Sequence, residues 1–204
     1  MGQVITGHLH KSADIASCSL DMFRMRYRVF HERMQWDVKV ENGLEIDEFD
    51  DPKSIYQIYR DKPGGKVLGS WRLRPTTEPY MMADVFPQLL YGESAPKEAD
   101  VWEISRFAVE DSDEKSAGLG LGSTARDMVR AAIAHAVEEG YRQYVMVVSV
   151  AVERLLKNMG LELHRYGRPI RIGRVLTVAC SLDINEATRT TILGKTEAQD
   201  QEAA

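Results

Sequence analysis

The chain has 204 residues, 44% of them hydrophobic and 28% charged, enough apolar material for one substantial core, and at this length roughly 70% of the unfolded surface is buried without a disulfide framework or structural metal. Its 26 Lys+Arg against 31 Asp+Glu give a net charge of −5, which excludes a global electrostatic attraction to nucleic acid or an anionic membrane. Cys18 and Cys180 lack metal-ligand spacing, and no run reaches the roughly 18 apolar residues of a membrane span, so a cytoplasmic protein with reduced thiols is expected.

His8 and His10 stand near an end expected to be mobile and do not read as a metal site. Phe23, Tyr27, Phe30 and Met34 recur at helical spacing and predict an amphipathic helix over 19–36, stopping near Trp36. The acidic, turn-rich stretch 37–53 reads as a long ordered loop, and such loops inside compact domains are often functional. Two β-type runs, Ile55–Arg60 and Val67–Leu73, flank a Pro-Gly-Gly reversal and predict a hairpin. A short helix around Ala83–Leu90 and a strand over Val101–Val109 follow. From Leu121 the 3.6-residue period holds until Gly140, which is suited to cap a helix C-terminus. Tyr144–Val150 is a continuous apolar run expected of a central strand, Val152–Met159 returns to helical spacing, and Val175–Ile184 is a further strand. One α/β domain over 1–194, a mixed sheet sandwiched by helices, is expected, with a disordered tail over 195–204.

Four polar clusters fall where apolar residues were expected. They are Arg26 with Phe30 and Trp36 at the helix end; Glu45, Asp47 and Asp50 in the acidic loop; Arg72 in mid-strand; and Glu103 with Ser105 and Arg106 beside Phe107. Taken singly, each reads more readily as a structural ion pair or a core residue than as a functional group. Gly118-Leu119-Gly120-Leu121-Gly122 before the long helix could present backbone N–H groups to a phosphate or simply turn the chain.

Taken in order, the set Arg26-x3-Phe30-x5-Trp36, Glu45-x-Asp47-x2-Asp50, Trp71-Arg72-Leu73-x-Pro75-Thr76-Thr77-x-Pro79-Tyr80-Met81 and Trp102-Glu103-x-Ser105-Arg106-Phe107 resembles the acyl-homoserine-lactone synthase family of quorum-sensing autoinducer synthases. The resemblance runs over roughly 20–185, and that family's fold is similar to the GNAT N-acyltransferases. It implies two substrates and no cofactor or metal. The α-amine of S-adenosylmethionine attacks the thioester of a fatty acyl group on acyl carrier protein, and its own carboxylate then displaces methylthioadenosine to close a lactone. The runner-up is a GNAT-like acyltransferase that takes acyl-CoA and another amine.

The residue types suit this chemistry. The amine must lose a proton before attack, which makes Glu103 the general-base candidate, with Glu45 and Arg106 beside it. A sulfonium has no N–H donors, so Phe30, Trp36, Asp47 and Asp50 suit it, while Arg26, Arg72 and Arg106 suit carboxylates in forked geometry; Ser105 and Phe107 complete the substrate-binding set. Glu103 and Arg106 would face opposite sides of a regular strand, so either a bulge lies between them or the two serve different faces; the resemblance to acyltransferases that splay neighbouring strands favours the bulge. In the family a threonine on the buried strand is associated with 3-oxo chains. The matching position here is Met146, with Val148 on the same face and Ser149 as the nearest donor, and a chain unsubstituted at its third carbon is expected. Finally, Arg154, Lys157, Arg165, Arg168, Arg171 and Arg174 face only Glu162 within 154–174, a basic segment expected to dock the acidic carrier.

Overall fold

The computed structural model describes residues 2–110 and 122–194. The expected tail 195–204 and residues 118–121 of the glycine-rich run lie outside them.

The N-terminal segment is an edge strand rather than a mobile end. β1 (Gln3–His8) pairs antiparallel with β4 (Ile55–Arg60), and His8 Nδ1 lies 3.0 Å from the Ser54 carbonyl oxygen. Ser12 then caps α1 (Ala13–Arg26) by accepting from the Ile15 amide, so the helix starts earlier than its aromatic period indicated. At Tyr27 the helix widens into a π-helical turn, Tyr27–Arg33. The helical stretch ends at Arg33 with Met34 as its cap, a little short of the expected stop near Trp36, and its π-helical last turn is not encoded in hydrophobic spacing. The acidic loop holds only the two-residue strands β2 (Val40–Glu41) and β3 (Leu44–Glu45).

The predicted hairpin is present as β4 and β5 (Val67–Pro75). The short helix is split into α2 (Met81–Asp84) and a 3-10 turn, Pro87–Leu90. Next come β6 (Val101–Val109), α3 (Ser123–Glu139), β7 (Gln143–Ser149) and α4 (Val150–Asn158). β8 (Leu163–Arg165), β9 (Ile170–Ile172), β10 (Val175–Asp183) and α5 (Glu186–Leu193) complete the described chain. Gly140 ends α3 at φ 75°, a left-handed conformation that glycine adopts without a Cβ penalty. β8, β9 and α5 have no counterpart in the sequence reading: the two strands span three residues each, too short to display a period.

Eight strands form one sheet in the order β1-β4-β5-β6-β7-β10-β8, with β9 also on β10. Every pairing is antiparallel except β6 with β7. Period-two alternation divides the core between the two faces. Tyr56 and Ile58 pack with Ile15, Met22 and Phe23 of α1, whereas Trp71 and Leu73 pack with Val129, Ala132 and Ile133 of α3.

Two irregularities create the site. Between β5 and β6, Ser70 pairs with Ala108 but Arg72 with Ser105, so β6 carries one extra residue, and Arg106 there has φ 55°. This is the bulge expected between Glu103 and Arg106. In addition, β6 and β7 pair only over Val101–Ile104 and Gln143–Met146, and beyond that the parallel strands part.

Candidate active site

The bulge turns Arg106 toward the face already occupied by Glu103 and Arg72, and α1 with its π-helical turn supplies the roof. Arg26, Arg72, Glu45, Asp47 and Glu103 are buried, and the side chain of Asp50 is fully enclosed. Three guanidinium groups and three carboxylates interlock there. Arg26 donates to both Asp50 oxygens at 2.8 and 2.9 Å and through Nε to Glu45 Oε2. Arg72 donates to both oxygens of Asp47, to Asp50 Oδ1 at 2.9 Å and to Ser105 Oγ at 3.3 Å. Arg106 donates through Nε to Glu45 Oε1 at 2.9 Å, and its Nη2 lies 2.7 Å from Asp47 Oδ2. Paired forks of this kind supply the attraction and the hydrogen bonds that offset desolvation of buried ions. Burial alone would raise the Asp50 carboxyl, but Arg26 and Arg72 hold it far below the ordinary carboxylate range.

Glu103 stands apart from this lattice and has no arginine fork. Its two oxygens accept from the Met81 and Met82 amides at 3.2 and 2.7 Å, at the start of α2. Complete burial pushes its pKa up, while those amides and the charges of Arg72 and Arg106 pull it back. A carboxyl tuned upward in this way is a better proton acceptor near neutral pH than an exposed glutamate. Counting Glu103, the cluster holds four carboxylates against three guanidinium groups, 3 − 4 = −1.

Phe30 and Trp36 stack at 5.3 Å with ring planes 11° apart, and the Arg106 guanidinium carbon lies 5.6 Å from the Phe30 ring centre. The π-helical turn makes this possible by spacing the two rings onto one side of the chain. On the other face of the sheet, where β6 and β7 part, an apolar cavity of about 60 Å³ is lined by Trp71, Ile104, Phe107, Met146, Val148 and Leu156, with Ser105 and Arg106 at its polar end. Phe107 lies tilted against Trp71 at 5.5 Å.

Two assignments change. Ser149 is not among the cavity-lining residues; its hydroxyl caps α4 by accepting from the Val152 amide at 3.1 Å. The basic segment is not one uniform patch. All six side chains are exposed, but Arg165 forks onto buried Glu153, which also meets Lys157 Nζ at 2.8 Å, and Arg174 donates to Gln35. Glu153 lies just outside the span over which charge was counted. Arg154, Arg168 and Arg171 have no carboxylate partner among the described residues.

Several residues of the site carried no sequence signal of their own. Tyr56, which donates to Asp50 Oδ1 at 2.8 Å, reads as a core strand residue. Arg74 forks onto Asp51 at 2.7 and 2.9 Å and ties the acidic loop to β5. Gln57 accepts from the Trp71 indole at 2.7 Å and fixes that wall of the cavity. Met81 belongs to the quoted motif but received no role.

The sequence matches the autoinducer synthase family over residues 10–192. It is 41% identical over 171 residues to an acyl-homoserine-lactone synthase of Aliivibrio fischeri, covering 83% of this chain and 88% of that protein. The crystal structure of the AHL synthase LasI superposes with a TM-score of 0.85 at 31% identity over 96% of both chains. TofI, solved in a ternary complex with an inhibitor and MTA, gives 0.78 at 34% identity over 95% of this chain and 97% of that one. An N-acetyltransferase from Lactobacillus plantarum, 15% identical with a TM-score of 0.56, shares the fold alone. The chain belongs to the autoinducer synthase family, and its activity is that of an acyl-homoserine-lactone synthase, an acyltransferase.

Proposed function

We propose that the chain uses acyl carrier protein as its acyl donor and S-adenosylmethionine as acceptor, with Glu103 as general base. The reading of the acceptor rests on charge. A cluster of net −1 beside a stacked aromatic pair suits a substrate that carries an ammonium, a carboxylate and a sulfonium, net +1. Glu103, directly or through one water, takes a proton from the α-ammonium. The freed nitrogen attacks the thioester carbon, and collapse of the tetrahedral adduct expels the carrier thiolate and leaves an amide. A carboxylate oxygen of the acylated substrate then attacks the carbon attached to the sulfonium, whose C–S bonding pair leaves with methylthioadenosine as the lactone closes. That second step is intramolecular and needs mainly alignment, which Arg26, Arg72 and Arg106 supply. The fatty chain lies in the cavity between β6, β7, α3 and α4.

The donor assignment is carried by one observation: Arg154, Arg168 and Arg171 project from α4, the turn between β8 and β9, and β9 respectively without carboxylate partners among the described residues, in a chain of net charge −5. Such a local patch steers an acidic macromolecule. Kinetics with acyl carrier protein and acyl-CoA of the same chain length test it. The double substitution Arg154→Glu/Arg168→Glu should raise KM for the acyl carrier several-fold and leave KM for S-adenosylmethionine unchanged. A parent enzyme that prefers acyl-CoA, or a variant that loses both affinities equally, would refute it.

A further inference from the structure

Among the acceptors reached by the three buried guanidinium groups, one is a sulfur. Met81 Sδ lies 3.3 Å from Arg72 Nη2 and 3.1 Å from Arg106 Nη1, in a side chain only 7% exposed. The other acceptors of Arg72 and Arg106 are oxygens, on Asp47, Asp50, Ser105 or Glu45. A thioether is a weak acceptor, and two charged donors converging on it form the least satisfied contact of the lattice. The same residue's backbone N–H meets Glu103 Oε2 at 3.2 Å. Met81 therefore joins the two arginines to the general base. Methionine is unbranched, with three rotatable side-chain bonds, so its sulfur can swing aside while its backbone keeps holding Glu103.

We propose that the Met81 thioether occupies, in the free enzyme, the position that the carboxylate of the acceptor substrate takes between Arg72 and Arg106, and that it withdraws when that carboxylate arrives. The proposal rests on S-adenosylmethionine being the acceptor. A carboxylate in this position would accept from Arg72 Nη2 and Arg106 Nη1 in place of the sulfur. It would also put the adjacent α-amine on the side of Glu103, since Met81 touches both groups. Met81 is thus a positioning residue: it keeps two buried charged donors covered until substrate replaces it, and its amide fixes the base.

Calorimetric titration without acyl donor separates this role from simple packing. Leucine nearly conserves the volume but accepts no hydrogen bond, so Met81→Leu leaves the two donors poorly paired before binding and should lower the Kd for S-adenosylmethionine about three- to tenfold. Met81→Gln offers an oxygen that competes better than sulfur and should raise it by a similar factor. Decarboxylated S-adenosylmethionine keeps the sulfonium, adenosine and amine, and its affinity should not follow this pattern in either variant. If Met81→Leu folds poorly, Met81→Gln decides the matter alone. Unchanged S-adenosylmethionine affinity in the variants, or equal shifts for both ligands, would overturn the proposal while leaving the acceptor assignment standing. A parent enzyme that bound the decarboxylated compound but not S-adenosylmethionine would overturn both.

Discussion

Glu103 and Asp50 are both fully enclosed carboxylates a few residues from the same arginines, yet their surroundings drive them in opposite directions. Glu103 sits under two amides with no fork and is pushed up; Asp50 is gripped by two guanidinium groups and held down. The first is suited to move a proton and the second to remain charged. Glu103→Gln keeps the shape but cannot accept the amine proton, and kcat should fall by about 10²–10⁴; turnover close to the parent's at neutral pH would remove Glu103 from the mechanism. Asp50→Asn leaves Arg26 and Arg72 without a shared counter-charge and should cost about 3–5 kcal/mol in urea unfolding. The sign of its pH dependence follows from the depressed folded-state pKa. Asp50 contributes stability above its unfolded value of about 4, and that contribution is lost as pH falls toward the folded value. The variant's stability should therefore decline less steeply than the parent's below pH about 4. These residues were legible because charges in apolar strands and helices are conspicuous. Tyr56 and Met81 were not, because a tyrosine or methionine in an apolar setting has the same appearance whether it fills space or meets an ion.

At the level of elements, three departures from regularity assemble the site: the π-helical turn at Tyr27–Arg33, the bulge at Arg106 and the parting of β6 from β7. The bulge was one of two readings of the spacing between Glu103 and Arg106, which could otherwise have served different faces, and the family resemblance favoured it. The π-helical turn could not be inferred, because one inserted residue leaves hydrophobic spacing almost unchanged over so short a segment. Strands and helices of nine or more residues, such as β6, β10 and α3, were read from their periods, whereas β8 and β9 are too short to show one. The parted strands also bear on chain choice. Met146 and Val148 line the cavity without a donor, and Tyr144 donates its hydroxyl proton to the Ala132 carbonyl at 3.0 Å. A 3-oxo carbonyl buried against Met146 and Val148, away from the polar end, would lack a partner at about 1–3 kcal/mol, so an unsubstituted donor should be favoured roughly 5- to 150-fold. Competition between saturated and 3-oxo donors of equal length checks this, and Met146→Thr should narrow the gap. A parent preference for the 3-oxo donor would contradict it.

Over the whole molecule, net charge and local charge point to different partners. A chain of net −5 should repel an acidic carrier at long range, so under the proposed carrier donor the encounter would run through the stretch from α4 to β9 where Arg154, Arg168, Arg171 and Arg174 stand. Sequence counting found this segment but overstated it, because Glu153, one residue beyond the counted span, is close in space to Arg165 and Lys157. With Lys157 and Arg165 tied to Glu153, four cations rather than six are available, and kcat/KM for the carrier should fall as salt rises past the concentration at which the Debye length is about 8 Å. The dependence should be shallower in Arg154→Glu/Arg168→Glu, as stopped-flow mixing over a salt series would reveal.

The proposed mechanism has one buried site acylate the amine of S-adenosylmethionine and then close the lactone. Single-turnover mass spectrometry with purified enzyme, S-adenosylmethionine and saturated acyl carrier protein tests it most directly. Methylthioadenosine and N-acyl-homoserine lactone should appear in equal amounts, and Glu103→Gln should suppress both together. Methylthioadenosine release without lactone, or full lactone formation by Glu103→Gln, would contradict it.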